Sequence, residues 1–540
     1  MAKFSHIALP ILEARYLLKN KDGKVIETPD GMLQRVAKAI SDAEKTPELK
    51  DKWYKEFLGV LDTLEFLPNS PTLMNAGKDL GQLSACFLIE CEDDLAAILE
   101  SVKRSALIHK TGGGTGIVFS KIRPKNSIVG STFGVASGPV SFMSIFDAAT
   151  NVVKQGGVRR GANLGALRVT HPDIKEFIEC KSDNKSFSNF NISVIVTDEF
   201  MEKVEKNEEF ILAHDHKEYG KVNAKELYRN ICTCAWISGD PGLIFIDEAN
   251  KYNPTPWLGK FEGTNPCGEQ PLLPYESCNL GSIDISKFCI DTGKIDYNRL
   301  KYVIEVAVRF LDNVISVNKF PNAKIRHKTL LTRKIGLGVM GYADMLLKMN
   351  IRYDSEEALN IARDIMNFIQ KMAHTESVKL GKEKGNIDSR IKRRNSTLTT
   401  IAPTGTLSML AGCSSGIEPI FSKELSKIVL NGERLDISSK LKDSKVLVTA
   451  HDVTPEWHIK TQSAFQEYTD NAVSKTINLN HNATIEDIEK IFMLAWKLKC
   501  KGTTIFRDGC KPGVLISSNP EGVLGSNGEI KECQGDRCVI

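Results

Sequence analysis

The segment NPCGEQPLLPYESCNLGS, residues 265–282, carries the densest chemistry in the sequence. Cys267 stands between Asn265 and Glu269, and Pro266 and Gly268 force a tight turn around it. In an extended loop, residues two apart share one side, so a thiol, a carboxylate and an amide converge on one small volume. That is the equipment for thiol chemistry with a base at hand. A structural cysteine in a turn accounts equally well for this segment taken alone, because buried cysteines are common. Cys278 follows eleven residues after Cys267. Upstream, Cys86 in LSACFLIEC reads as a core cysteine of a strand, and gains interest only if it meets Cys278.

Other segments offer weaker signals. APTGTLSMLAGCSSGIEP (402–419) follows a strand pattern and opens a helix, so Thr404, Gly405, Thr406 and Ser408 present hydroxyls and backbone N–H groups at a helix N-terminus. Dipole and geometry suit a phosphate there, and a plain capping turn suits it as well. KQGGVRRGANLGALRV (154–169) sets glycines around Arg159 and Arg160, either to wrap an anion or as a solvated basic turn. TGGGTG (111–116) lacks the GK[ST] of a P-loop and does not indicate an NTPase. The terminal CQGDRC pair, Cys533 and Cys538, has no second close pair to complete a zinc site, so a redox dithiol on a mobile arm fits better and no metal is expected.

These residues need elements to hold them. Apolar residues at helical spacing in 94–110, 299–317 and 356–374 alternate with strand-like segments at 83–91, 116–122 and 396–402, which argues for an α/β body with mainly parallel strands. Leu95, Leu99, Val102 and Ala106 form one stripe of the 94–110 helix. We divide the 540 residues into an N-terminal helical region (1–65), a body (66–510) and a flexible C-terminal tail (511–540). With 41% hydrophobic residues the chain has material for a large core. A net charge of +4 gives no general nucleic-acid coat. No apolar run approaches the roughly 18 residues of a membrane helix, and the N-terminus does not read as a signal peptide. Thirteen cysteines without disulfide-framework spacing fit a cytoplasmic protein whose thiols stay reduced unless they do redox chemistry.

Taken together, NSPTLMNAG, the SxC of LSACFLIEC, NPCGEQ with SCNLGS, RNSTLTTIAPTGTLS and KGTTIFRDG resemble the ribonucleotide reductase catalytic subunit, in order over about residues 60–510. Within that family the wording is most similar to the adenosylcobalamin-dependent class, in GGVRRGANLGALRVTHPDIKEFIECK, NFNISVIVTDEF and AHDVTPEWHIKTQSAFQEYTDNAVSKTINL. The resemblance implies a ten-stranded α/β barrel of two five-stranded halves with a central finger loop carrying Cys267. It implies that Cys267 becomes a thiyl radical, that Glu269 is the base on the substrate 3′-OH, and that Asn265 hydrogen-bonds the substrate. Cys86 and Cys278 would deliver electrons and a proton and end as a disulfide, which Cys533 and Cys538 re-reduce.

The same resemblance places the substrate ribose and phosphates at Ser70, Ala85 and the turn Pro403, Thr404, Gly405, Thr406, Leu407 and Ser408. It places a dNTP or ATP specificity effector at Asp93 and Arg123, with the loop of Arg159 and Arg160 as relay. The expected reaction is reduction of ribonucleotides, read as the diphosphates, to deoxyribonucleotides, with adenosylcobalamin as cofactor, a thioredoxin-like or small dithiol reductant, and a homodimer as the assembly. The alternative is the large subunit of a two-component enzyme with a radical-bearing partner. Such subunits carry two adjacent tyrosines before the RDG-like segment, where this sequence has Ile505 and Phe506. Phenylalanine has no phenol O–H to relay a hole, which favours the cobalamin. The chain reaches ALPILEARYLLK within its first twenty residues, which leaves no room for an ATP-cone and points to control of specificity alone.

Overall fold

The computed structural model describes residues 2–130, 133–155, 159–290, 293–421, 424–428, 434–438, 444–510 and 516–517, with the backbone alone at 154–155, 159–160, 424–428, 434–438 and 516–517. Its main sheet has ten strands: β1 (Phe66–Pro68), β2 (Cys86–Glu90), β3 (Gly114–Val118), β4 (Asn163–Arg168), β5 (Phe190–Val196), β6 (Gly242–Phe245), β7 (Ser277–Asp284), β8 (Ile335–Met340), β9 (Thr476–Leu479) and β10 (Gly502–Arg507).

β2 to β6 lie side by side in chain order, all parallel. β7 pairs parallel with β8, and β9 with β10. Between those pairs runs the segment 396–402, which makes single parallel bridges from Thr399 to Leu337 of β8 and from Ile401 to Val473 just before β9. The two parallel sets meet antiparallel at both edges, β2 against β7 and β6 against β10. With both edges paired, the sheet closes. It is an α/β barrel of two five-membered halves, as the resemblance implies, and β1 is an addition on the flank of β7.

The fifth member of the second half departs from the strand expected over 396–402. Ile335 N donates to Thr397 O, but Leu337 N donates to Leu398 O, so the ladder slips by one residue and leaves a bulge in place of a regular strand.

Each barrel strand is buried on both faces, as expected where helices cover the outside and the barrel closes on itself. On β2, Cys86 and Leu88 point into the interior with Leu164, Ile195, Ile244, Cys278 and Leu280. Phe87 and Ile89 point outward into the helix layer. The N-terminal helices Ala8–Arg15, Pro29–Ser41 and Pro47–Asp62 share one core with the long helix Tyr297–Val317. Thr28 and Thr46 cap the second and third of them by accepting from Gly31 N and Leu49 N.

The helix Leu95–Lys110 starts at its Asp94 cap, but its apolar stripe does not face the sheet. Ile98, Ser101, Ser105 and Ile108 are buried, while Leu95 and Leu99 are 61% and 48% exposed. Ser101 Oγ donates to Glu90 O (2.9 Å) and Ser105 Oγ lies 3.1 Å from Thr115 Oγ1. Small hydroxyl side chains hold this helix close to β2 and β3, and the leucines are left on the surface.

Candidate active site

The NPCGEQ segment forms the tip of a short hairpin, Gly263–Thr264 against Pro271–Leu272. Asn265 N donates to Gln270 O (3.2 Å), Gly268 N donates to Asn265 O (3.1 Å), and Gly268 takes a φ of 80°, which suits glycine. The hairpin lies against β3 because that strand has no side chains in its way. A Cβ at Gly116 would sit 1.7 Å from Thr264 O, and one at Gly114 would sit 2.9 Å from Pro266 Cγ. The glycine run 111–116 thus makes room for the finger. Two glycines at strand spacing signal such close approach, but the sequence does not say to what.

At the tip, Cys267 is exposed while Asn265 and Glu269 are buried. Both buried side chains reach Cys86. Asn265 Nδ2 lies 3.1 Å from Cys86 Sγ, and the Cys86 thiol points at Glu269 Oε1 at 3.8 Å. Asn265 Oδ1 also accepts from Gln270 N (2.9 Å), which fixes the amide's orientation. The Glu269 main chain is clamped as well: its carbonyl accepts from Ala472 N and Thr400 Oγ1, each at 2.9 Å. Glu269 Oε2 has no hydrogen-bond partner among the described residues, and neither side-chain polar atom of Gln270 has one. Burial pushes the Glu269 carboxyl up to about 7, against hydrogen bonds from Asn265 and Cys86 that pull it down.

Cys86 and Cys278 are direct partners in the antiparallel register of β2 and β7. Opposed residues of antiparallel strands have Cα atoms about 4.5–5.5 Å apart, inside the range a disulfide spans. Both are free thiols here. Burial raises both thiols well above their ordinary value; Glu269 raises Cys86 further, while Cys278 is pulled down by Lys334 and pushed up by Glu276 and Glu269. The thiol of Cys267 is near enough for its charge to disfavour that of Cys86. The site therefore assembles one exposed thiol, a buried dithiol, and a carboxyl poised near neutrality. It can remove a proton beside a sulfur and deliver two electrons by forming a disulfide.

The other expected positions are more dispersed. Ser70 Oγ lies 2.8 Å from Tyr16 OH. The backbone of Ala85 is engaged on both sides, N to Cys278 O and O from Gly114 N. In the 403–408 turn, Thr404 takes a φ of 54° and caps the helix Gly405–Ala411. Its hydroxyl accepts from Gly416 N (2.7 Å), Pro403 O accepts from Ser415 Oγ, and Ser408 Oγ lies 3.2 Å from Ser415 Oγ. The hydroxyls of Thr404 and Ser408 are thus used within the chain. What the turn offers an anion are the first-turn N–H groups of Gly405, Thr406 and Leu407. Asp93 and Arg123 do meet, with Nε 2.7 Å from Oδ2 and Arg123 N donating to Oδ1. Arg159 and Arg160 lie on a short hairpin with Lys154–Gln155. Cys533 and Cys538 fall outside the described residues. Ile505 and Phe506 are buried on β10.

Sequence reading missed the ion pair of Lys334 and Glu276, both fully buried, with 2.6 Å between Nζ and Oε2. A lysine and a glutamate beside strands read as surface residues, and nothing in their spacing marks them.

Among the described residues no helix is long and apolar enough to cross a membrane. The family model for the ribonucleotide reductase barrel domain matches residues 84–389 and 388–506, and that for the ribonucleotide reductase all-alpha domain matches residues 2–81. A vitamin B12-dependent ribonucleoside-diphosphate reductase of Thermoplasma acidophilum is 45% identical over 95% of this chain and 80% of its own length. A protein of the same name from Mycobacterium tuberculosis is 41% identical over 96% of this chain and 81% of its own. A ribonucleoside-diphosphate reductase subunit alpha of Chlamydia pneumoniae is 27% identical over 96% of this chain and 61% of its own. With barrel, finger and paired cysteines all in place, the chain belongs to the ribonucleotide reductase family.

Proposed function

We propose that this protein reduces ribonucleoside diphosphates to 2′-deoxyribonucleoside diphosphates by a thiyl-radical mechanism that depends on adenosylcobalamin. The observation that carries the reading is the meeting of Cys86 and Cys278 as register partners directly beneath Asn265 and Glu269 of the finger. The cofactor reading is supported by the relatives at 41–45% identity, whose names give vitamin B12 dependence. The residues present fit it: the Cys267 thiol is exposed at the finger tip, and Ile505 and Phe506 hold the places where a relay from a partner would need tyrosines. When bound, the cofactor supplies a carbon-centred radical able to take the hydrogen atom of a thiol.

In this mechanism Cys267 takes the 3′-hydrogen of the ribose, and Glu269, ionised, takes the 3′-OH proton. A radical at C3′ with its oxygen deprotonated expels the neighbouring 2′-OH far more readily than an intact ribose does. Asn265 holds the substrate in place. The thiols of Cys86 and Cys278 give the proton and the electrons, and Cys267 returns a hydrogen to C3′. In balance, the C2′–OH and two thiols become C2′–H, water and one disulfide. Ser70, Ala85 and residues Pro403 to Ser408 bind ribose and phosphates, the latter through the backbone N–H groups of 405–407. We read 1–65 as a helical region, 66–510 as the catalytic barrel and 511–540 as a redox tail whose Cys533 and Cys538 reduce the buried disulfide by exchange, themselves renewed by a thioredoxin-like or small dithiol reductant. A nucleotide effector sits at Asp93 and Arg123 with Arg159 and Arg160 nearby. A homodimer is supported by the exposed leucines of the helix Leu95–Lys110: Leu95, Leu99 and Leu107.

The test is anaerobic CDP reduction with dithiothreitol and a deoxynucleotide effector, with and without adenosylcobalamin. dCDP only with the cofactor is the expected result. Equal dCDP without it, or activity only with an added radical-bearing protein, overturns the cofactor reading; no dCDP under any condition overturns the reaction.

A further inference from the structure

One residue of the 403–408 turn is held in a conformation that its type disfavours. Thr404 takes a φ of 54° and a ψ of 20°. Left-handed backbone crowds Cβ against the following carbonyl, and a β-branched side chain tolerates it least. Among the described residues Thr404 is the only valine, isoleucine or threonine with a positive φ. Such a residue persists only where its surroundings impose the shape. Here the segment 415–418 imposes it. Gly416 N donates to Thr404 Oγ1 at 2.7 Å, and Ser415 Oγ donates to Pro403 O at 2.9 Å. A Cβ at Gly416 would stand 3.1 Å from Ala402 O, so the two backbones are in contact. Glu418 N donates to Ser415 O at 2.9 Å, which makes Glu418 the end of this support.

Glu418 is buried, and both of its oxygens are held from the head of β9. Oε1 accepts from Thr476 N at 2.8 Å, and Oε2 pairs with the buried Lys475 ammonium. The other protons of that ammonium go to Thr476 O at 3.0 Å and His458 Nδ1 at 2.8 Å. Because Nδ1 accepts, the imidazole is neutral with its proton on Nε2, which donates to Ala450 O at 3.1 Å. Ala450 N donates in turn to Ile420 O at 2.8 Å, two residues past Glu418. The brace thus ties 415–420 to β9 and to the helix Pro455–Gln466 that carries His458. Val473 and Ile477, two residues to either side of Lys475, belong to the outer cores, so Lys475 points out of the barrel and away from any substrate inside it.

A buried lysine–glutamate pair adds little stability that apolar residues of the same volume would not. Its attachment to a strained turn gives it another use. We infer that Glu418 and Lys475 are positioning residues for substrate binding: they hold Thr404 left-handed, and with it the turn Pro403 to Ser408 in the shape that receives the nucleotide. The inference rests on the proposed reading of that turn as the ribose and phosphate site. Without the brace the turn relaxes, and affinity falls with the fraction of chains still in the binding shape. The reacting groups stay in place, because the finger is clamped separately, through the Glu269 carbonyl on Ala472 N and Thr400 Oγ1.

The experiment measures two quantities on the full chain: CDP affinity by equilibrium dialysis, and the single-turnover rate of pre-reduced enzyme with adenosylcobalamin at saturating CDP. Wild type is compared with Glu418→Gln and with the double variant Glu418→Gln/Lys475→Met, each also made in a Thr404→Gly background. The double variant removes both charges at nearly constant volume; if it does not fold, Glu418→Gln carries the same comparison. The double variant should bind CDP at least about tenfold more weakly, the equivalent of restoring one left-handed threonine, with a saturating rate within about twofold of wild type. Glycine adopts that φ freely, so in the Thr404→Gly background the same change should weaken CDP by less than about threefold. Unchanged CDP affinity in the double variant, a saturating rate that falls together with affinity, or equal losses of affinity in the two backgrounds overturns the inference, because a pair that only supports the fold gives one of these. Failure of wild type itself to bind CDP would overturn the substrate reading, and the inference with it.

Discussion

The carboxyl of Glu269 gives the sharpest quantitative expectation. Burial displaces it from 4.5 to about 7, which corresponds to roughly 3 kcal/mol of preference for its protonated form in the folded chain. The direction of the stability effect follows from where the proton sits. Below pH 4.5 the carboxyl is protonated in folded and unfolded chains alike and contributes no difference. From pH 4.5 to 7 the unfolded chain releases the proton while the folded chain keeps it, so stability falls; above 7 the full loss persists. Glu269→Gln is neutral at every pH and escapes that loss. It should be more stable than wild type by roughly 1 kcal/mol at pH 5 and roughly 3 kcal/mol at pH 8. Activity should run the other way. A base must be ionised, so the wild-type single-turnover rate should fall by about tenfold per pH unit below 7, while Glu269→Gln makes no dCDP at any pH. Urea unfolding at the two pH values reads the first effect. Rapid-quench dCDP formation by pre-reduced enzyme from pH 5.5 to 8.5 reads the second, with no external thiol to titrate. The thiols of Cys86 and Cys278 feel the same carboxyl, but burial holds both well above this range. A flat rate between pH 6 and 8, or a variant no better stabilised at pH 8 than at pH 5, would refute the reasoning.

Three further expectations concern the finger and the two dithiols. Gly116→Ala puts a methyl 1.7 Å from Thr264 O and must displace the finger; it should cost about 1–3 kcal/mol of stability and at least about a hundredfold in single-turnover rate, while Gly59→Ala, within the helix Pro47–Asp62 and with open space around it, costs neither. Cys278→Ser removes one half of the register pair with Cys86; nucleotide binding measured by equilibrium dialysis should stay intact while dCDP drops to background. Replacing Cys533 and Cys538 with serine should leave the single turnover of pre-reduced enzyme untouched and abolish repeated turnover with a protein dithiol; repeated turnover surviving that change would remove the tail from the cycle.

Residues whose types and spacing the chemistry dictates were legible before any fold was known. Asn265, Cys267 and Glu269 sit within five residues because one turn must present them together, and the sequence prints that turn directly. The helices over 94–110, 299–317 and 356–374 and the strands over 83–91 and 116–122 were legible too, since the helices carry apolar residues at helical spacing and strands buried on both faces leave short apolar runs. What the sequence hides is every contact made across the closure of the barrel. Cys86 and Cys278 meet only because the two parallel halves join antiparallel at β2 and β7, and no local pattern records an edge pairing between segments so far apart. The leucines at 95 and 99 look like a core stripe, yet serines at 101 and 105 hydrogen-bond to the sheet instead, because a close helix–strand approach needs small side chains and not large ones.

Lys334 is the extreme of that limit. In RKIGLGVM it is one more cation beside a strand, and charged residues in such a place are ordinarily solvated. Its neighbour Arg333 is held by Asp312, also out of solvent, so even the pair of adjacent cations gives no local hint of which one pairs with Glu276. The answer lies in the register: a parallel pairing one residue out of step would exchange the two and place Arg333 against Cys278. A site that must move a proton and two electrons without water needs fixed charges inside the barrel. Such charges are costly unless paired, so they come as opposite partners drawn from neighbouring segments, Glu276 just before β7 and Lys334 just before β8. Pairing across strands is therefore what makes the charge tolerable, and it is also why the charge is invisible to any reading that follows the chain one residue at a time.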